Sequence, residues 1–331
     1  MIIGRHDTVR DGTYIIAEAG VNHNGSLELA KKLVDAALAA GATAVKFQMF
    51  RTDLLVAPTF REQHAMLKKY ELTAEQFAEL KRYCDKSGIS FLATPFDPAS
   101  AEQLRRFEPD AYKIGSGDLT CHALLSQVAR YKKPVLLSTG MSGLGDIEAA
   151  LACLEDGGAE VALLHCTSAY PAPFDSVNLR AIDTLRSAFG KEVGYSDHTP
   201  GIEISLAAVA LGCRIIEKHF TLDRNMEGPD HQASLEPDEL KRLVESVRHI
   251  ERAMGSKRKR MSDAETETKK KARRGIYLAR DMSAGDVVSE QDLLYLRPVQ
   301  ELEASDYRKV VGRRLNRDKR KYEPLSFNEL D

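Results

Sequence analysis

The amino-acid sequence predicts an α/β protein, a (β/α)8 barrel of the TIM type followed by a small β-rich module. Three observations predict it. From Thr13 to Met254 a short apolar strand, a polar loop and an amphipathic helix alternate, and eight strand candidates can be counted. That stretch is about 240 residues long, a usual length for such a barrel. The alternative, an open dinucleotide-binding sheet, would carry GxGxxG after its first strand, and the first turn here is GVNHNG.

In order, the strands are TYIIAEAG (13–20), AVKFQMF (44–50), SFLATPF (90–96) and AYKIGSG (111–117). They continue with PVLLSTG (134–140), VALLHCT (161–167), EVGYSDH (192–198) and RIIEKHF (214–220). Helical patterns such as LELAKKLVDAALAAG and AEQFAELKRYCDKSG separate them, each ending near a glycine suited to a left-handed cap. The barrel domain is bounded as 1–255. Residues 256–275, SKRKRMSDAETETKKKARRG, are charged and poor in large apolar side chains, and are expected to form a linker. In 276–331 short apolar pieces return (IYLARDMSAGDVVS, LLYLRP, KVVGRRL), punctuated by Gly, Pro and Asp as in a compact β-rich domain.

Composition narrows the function. Lys and Arg total 47 against 49 Asp and Glu, so a general nucleic-acid binder, which would be basic, is not expected. The five cysteines are odd in number and form no CxxC pair, against a disulfide framework or structural zinc and in favour of reduced thiols in a cytoplasmic protein. No apolar run approaches the roughly 20 residues that span a bilayer, so no membrane partner is expected.

Polar residues recur at the C-terminal ends of the apolar strands, where a barrel carries its chemistry. They are Glu18, Lys46, Gln48, Thr94, Lys113, Ser116, Ser138, Thr167, Ser196, Asp197, His198, Glu217, Lys218 and His219. Inside apolar strands such groups cost free energy unless they have a partner or a ligand. Three lysines with small hydroxyl donors suit a phosphorylated, carboxylated small molecule. Lys46 and Lys113 are assigned to that ligand. Lys218 alternates in direction with Glu217 and His219 and is expected in a buried salt bridge with Glu18 or Glu217.

His198 and His219 end neighbouring strands, beside Ser196 and Asp230, and could converge on one Mn2+ or Mg2+ ion. His165 belongs to the core on this reading, whereas His23 and His231, in loops, are within reach of substrate. Two other classes stay open: a Schiff-base pyruvate aldolase using Lys113, and a non-catalytic sugar-binding or assembly protein.

The strings IIAEAGVNHNG, VKFQ, ATPFD, YKIGSGD, LSTGM, LLHCTSAYPAP, GYSDHT and EKHFTLDRNMEGPDHQASLEP, in this order, resemble the sialic acid synthase family. That family includes the N-acetylneuraminate, legionaminate and pseudaminate synthases. The tail resembles its C-terminal SAF (antifreeze-like, β-clip) domain. The resemblance implies a metal-dependent condensation of phosphoenolpyruvate with an N-acylated amino sugar, N-acetylmannosamine or 2,4-diacetamido-2,4,6-trideoxymannose. It implies that Lys46, Thr94, Lys113, Ser116, Ser138 and Ser196 hold phosphoenolpyruvate, and that His198 and His219 hold the metal. Glu18, Gln48, Asp118, Tyr170 and Asp230 then face the sugar or water. It also implies a domain-swapped homodimer in which Arg297, in an RP motif, touches the sugar. Departures from the family pattern fall at Asp118, where many members have glutamate, at Ser168, where some have asparagine, and in a short loop after the second strand.

Overall fold

Period-two patterning of β-branched and aromatic residues builds eight parallel strands, each followed by a helix. The strands are β1 (Tyr14–Gly20), β2 (Ala44–Met49), β3 (Ser90–Pro95), β4 (Tyr112–Ile114), β5 (Val135–Ser138), β6 (Val161–Cys166), β7 (Val193–Asp197) and β8 (Ile215–His219). A computed structural model describes the whole chain, Met1–Asp331, which divides into two units, Met1–Gly255 and Ser256–Asp331. The sheet order is β3-β2-β1-β8-β7-β6-β5-β4, and β3 lies against β4 to close the ring. Around it stand α1 (Leu27–Ala39), α2 (Ala74–Ser87), α3 (Pro98–Arg106), α4 (His122–Ala129), α5 (Leu144–Asp156), α6 (Ala181–Phe189), α7 (Glu203–Ala210) and α8 (Pro237–Met254).

Local signals set the helix ends. Thr73 and Gln76 form a reciprocal capping box on α2, whose C-cap, Gly88, takes the left-handed φ of 81° that a side chain would resist. Asp97 caps α3 by accepting from the Ser100 amide at 2.8 Å, with Pro98 at the first helical position. The helices bury one stripe against the sheet, as Leu240, Leu243, Val244 and Val247 do on α8.

Inside the barrel, direction along each strand decides polarity. The lower interior is apolar: Tyr14, Ile16, Ala44, Leu92, Ala111, Leu136, Ala162, Leu164 and Ile215 pack together, with Ile3 from an N-terminal hairpin joining them. Two residues further along, on the same inward parity, come Glu18, Lys46, Thr94, Lys113, Ser138, Cys166 and Glu217. Gly194 is the inward position of β7 at the apolar level; a Cβ there would sit 2.4 Å from the Ile215 carbonyl oxygen, so only glycine fits. Ser196 follows it into the polar level.

The second unit has its own core, including Ile276, Leu278, Val288, Val310 and Leu325. Its strands β9 (Gly275–Leu278) and β10 (Leu293–Leu296) pair antiparallel. Elsewhere the β structure is reduced to isolated bridges such as Met282 to Lys319, because turn residues interrupt the chain every few positions. Within 256–275 the chain forms a short helix, Thr266–Ala272. No helix is long and apolar enough to cross a membrane.

Candidate active site

The polar level opens into a cavity of about 290 Å³ at the C-terminal ends of the strands. Glu18, Lys46, Gln48, Thr94, Lys113, Ser116, Ser138, Tyr170, Ser196, His198 and His219 all line it. Strand parity brings the strand residues there, and the loops after β4 and β6 add Ser116 and Tyr170. Behind Ser116, Gly140 donates its amide to the Ser116 hydroxyl at 3.0 Å. A Cβ on Gly140 would collide with the Ser168 and Ser116 hydroxyls, at 2.3 and 2.8 Å, so the loop after β5 can close on the site only with glycine there.

Charge is organised around two buried carboxylates. Lys46 Nζ lies 2.7 Å from Glu18 Oε2 and 3.7 Å from Glu217 Oε2, and donates to Thr94 Oγ1 at 3.0 Å. Lys113 Nζ donates to Ser138 Oγ at 2.7 Å and stands 3.8 Å from Glu217 Oε1. Ser196 Oγ donates to Glu217 at 2.8 Å, and Gln48 Nε2 to Glu18 at 3.3 Å. Burial alone would push both carboxyls up. At Glu217 the ammoniums of Lys113 and Lys46 outweigh it and hold the group ionised, far below the ordinary range. At Glu18 burial wins over the Lys46 charge, helped by the negative charge of Glu217, and the pKa is raised. Burial likewise lowers Lys113, whereas for Lys46 the two carboxylates overcome burial and raise it.

The imidazoles of His198 and His219 have ring centroids 5.2 Å apart, with the Tyr170 ring 4.1 Å from His198. His198 Nδ1 donates to the Thr167 carbonyl at 2.7 Å, which leaves Nε2 as the ring nitrogen available to a ligand, and its pKa is raised, burial being outweighed by Cys166, the Thr167 carbonyl and Glu217. His219 Nδ1 is buried without a hydrogen-bond partner, 3.9 Å from Asp230 Oδ2, and burial pushes its pKa down to about 4. No cluster of three or more His, Cys, Asp or Glu stands here. Two imidazoles, one with its Nδ1 committed to a backbone carbonyl, fit a divalent ion that completes its shell with substrate and water oxygens.

With this geometry in place, comparison with known proteins decides the family. The model described as the NeuB family matches residues 33–259, and that of the SAF domain matches 273–331. The chain belongs to the NeuB family. It is 45% identical to the N,N'-diacetyllegionaminic acid synthase of Campylobacter jejuni, over 91% of this chain and 95% of the relative. The Legionella pneumophila protein of the same name is 42% identical, over 92% and 90%. The solved N-acetylneuraminic acid (sialic acid) synthetase of Leptospira borgpetersenii, in complex with citrate, aligns with a TM-score of 0.72 at 38% identity. That alignment covers 77% of this chain and 90% of that one.

Not every residue expected at a NeuB site lines this cavity. Asp118 ends a single 3-10 turn, Ser116–Asp118, beside the cavity, with one buried carboxylate oxygen unpartnered and its pKa pushed up by burial to about 6. Asp230 approaches through His219, as above, and Arg297 is exposed on the second unit, directly after β10. Lys218 corrects an expectation: it is buried in a salt bridge, but with Asp197 at 2.9 Å, and not with Glu18 or Glu217. It points out of the barrel, and its register partner on β7 is Asp197, which faces outward too. His231 is also corrected, because it is buried and bonded to Thr221 Oγ1 at 2.6 Å and Asn24 Oδ1 at 3.2 Å, away from the cavity. His23 is fully buried behind β2, its Nδ1 accepting from the Gly25 amide, and does not line the cavity. His165 is half-buried and donates from Nε2 to the Val177 carbonyl at 2.7 Å.

The cavity also has walls that the sequence reading passed over: Cys166, Phe96 and Met141. Cys166 was findable, since it follows Ala162 and Leu164 on the inward parity of β6. Met141 and Phe96 lie on loops, where no period indicates direction.

Proposed function

We propose that this protein is a nonulosonic acid synthase. It condenses phosphoenolpyruvate with the open-chain aldehyde of an N-acylated mannosamine-type sugar, giving a nine-carbon 2-keto acid and phosphate. One observation carries the reading: in a NeuB-family barrel, Lys46 and Lys113, the hydroxyls of Thr94, Ser116, Ser138 and Ser196, and two imidazoles converge on one cavity. The relatives named as legionaminic acid synthases support it.

In this mechanism Lys46 and Lys113 offer ammonium hydrogens to the phosphate and carboxylate of phosphoenolpyruvate, and the hydroxyls complete the donor set. When a divalent ion such as Mn2+ or Mg2+ is held by His198 and His219, it supplies Lewis acidity toward the aldehyde oxygen. Carbon 3 of phosphoenolpyruvate attacks the aldehyde carbon, the new C–C bond takes the double-bond pair, and positive charge develops at carbon 2. Glu217, ionised between the lysines, is the anion available to that charge. Glu18, whose hold on a proton is strengthened by burial, is the carboxyl that exchanges protons here, giving one to the aldehyde oxygen and taking one from the water adding at carbon 2. The intermediate collapses with C–O cleavage. Phosphate departs with that electron pair and the carbon 2 hydroxyl proton, leaving the keto group.

The proposal includes a domain-swapped homodimer in which Arg297 of one copy reaches the sugar held by the other. The test is release of phosphate from phosphoenolpyruvate by the purified chain with Mn2+ and either sugar, beside a chelator control. Phosphate that needs both sugar and metal is expected; none with either sugar would overturn the reading. One observation favours a second reading: burial lowers the Lys113 pKa, which suits an amine nucleophile. Borohydride trapping of a pyruvate adduct on Lys113 would select that aldolase instead.

A further inference from the structure

A cavity of about 490 Å³ opens at the end of the barrel opposite the catalytic one. The N-terminal hairpin, in which Ile2–Ile3 pairs with His6–Asp7, forms one wall. Tyr14 and Ser90, at the starts of β1 and β3, and Asp110, just before β4, form another. Ile3 and Ile89 are buried and give it apolar sides. Its volume suits a small organic molecule.

Two of its groups lack the partner their chemistry calls for. Tyr14 is fully buried, and its phenol oxygen has no hydrogen-bond partner, which costs free energy in an apolar surrounding. Burial, with the negative charge of Asp110, pushes its pKa above the ordinary range, so the phenol keeps its proton. Asp110 accepts from Ser90 Oγ at 2.6 Å but makes no ion pair. The hairpin turn closes over this carboxylate: a Cβ on Gly4, whose φ is 58°, would lie 2.5 Å from Asp110 Cγ, so only glycine fits. At the rim, Asp85 pairs with Lys81 at 2.6 Å, whereas Asp11 makes no ion pair. Of the cationic groups, His6 spends Nε2 on the Gly12 carbonyl at 2.8 Å, and Arg5 is exposed and unpaired.

We propose that this cavity binds the primary ammonium of a small alkyl amine, which donates to the Asp110 carboxylate and the Tyr14 phenol oxygen while Ile3 and Ile89 flank its methylenes. Asp11 adds negative charge at the rim. Other classes fit less well. No group of three His, Cys, Asp or Glu stands close enough together for a metal ion. A phosphate or carboxylate would meet Arg5, but also Asp11, Asp85 and Asp110. A water molecule could bond the phenol, but would leave the Asp110 charge uncompensated. The site is remote from Glu18 and Glu217 and does not depend on the synthase reading.

The experiment titrates pentane-1,5-diamine, and its neutral counterpart pentane-1,5-diol, calorimetrically into the full chain at low salt. Saturable binding of the diamine is expected, with the diol weaker by about tenfold or more. Asp110→Asn and Tyr14→Phe should each weaken the diamine by about tenfold. Tyr14→Phe should leave the thermal melt unchanged, because the hydroxyl it removes has no partner. Should one variant fail to fold, the other decides. No saturable binding, a diol as tight as the diamine, or an affinity unchanged in a folded variant overturns the site. So does a Tyr14→Phe melt several degrees lower, which would show the hydroxyl already bonded within the protein.

Discussion

Lys46 Nζ sits 2.7 Å from the Glu18 carboxylate inside the barrel, and both side chains are almost fully buried. The same ammonium stands 3.7 Å from Glu217, so one cation serves two acids whose pKa values are driven apart. Replacing it leaves two carboxyls in a low-dielectric site with only Lys113 to compensate. Lys46→Met is expected to lose about 3–5 kcal/mol of stability in urea denaturation. It should also lose phosphoenolpyruvate turnover, even where the protein remains folded.

Lys218 provides the contrast. It is buried against Asp197, which also accepts from Thr199 at 2.8 Å and Ser205 at 2.6 Å, all outside the barrel. Lys218→Met is expected to destabilise by a similar amount, about 3–5 kcal/mol. Its folded fraction should keep the wild-type KM for phosphoenolpyruvate. A raised KM at normal stability would reverse the roles assigned to these lysines.

Asp118 makes a pH-dependent contribution of known sign. Its pKa rises from the ordinary 3.8 to about 6 on folding, chiefly through burial. The folded state therefore binds the proton more tightly than the unfolded state does. The stabilisation is present in full below about pH 4 and is lost as pH climbs through 6. After allowance for solvent screening, about 1–2 kcal/mol of this decline should vanish in Asp118→Asn. Denaturation curves for the two proteins between these pH values measure it.

The histidine pair gives a binding prediction. Mn2+ titrated calorimetrically into the protein should bind with one ion per barrel. His198→Ala and His219→Ala should each weaken it by about a hundredfold or more, since even a residue that only supports a ligand costs ten- to a hundredfold. Unchanged binding in both variants would remove these imidazoles from the metal assignment.

Much of this site was legible because strand parity is strict. Once Ala44, Leu92 and Leu136 are read as inward and apolar, Lys46, Thr94 and Ser138 must face inward one pleat higher. Cys166 obeys the same rule. The partner of Lys218 was not legible, because parity turns it outward but only the register between β7 and β8 selects Asp197. Loop residues escaped for a related reason. Nothing periodic shows that His231 folds back onto Thr221 and Asn24, or that Met141 and Ser168 line the catalytic cavity.

Under the proposed reaction the catalytic cavity joins phosphoenolpyruvate to an amino sugar with cleavage of the C–O bond. Phosphoenolpyruvate carrying 18O in the bridge between carbon 2 and phosphorus, incubated with the protein, Mn2+ and the diacetamido sugar, tests it most directly. Sugar-dependent release of phosphate that contains the label is expected, together with an unlabelled 2-keto acid. Label retained in the organic product, or phosphate released without sugar, would contradict it.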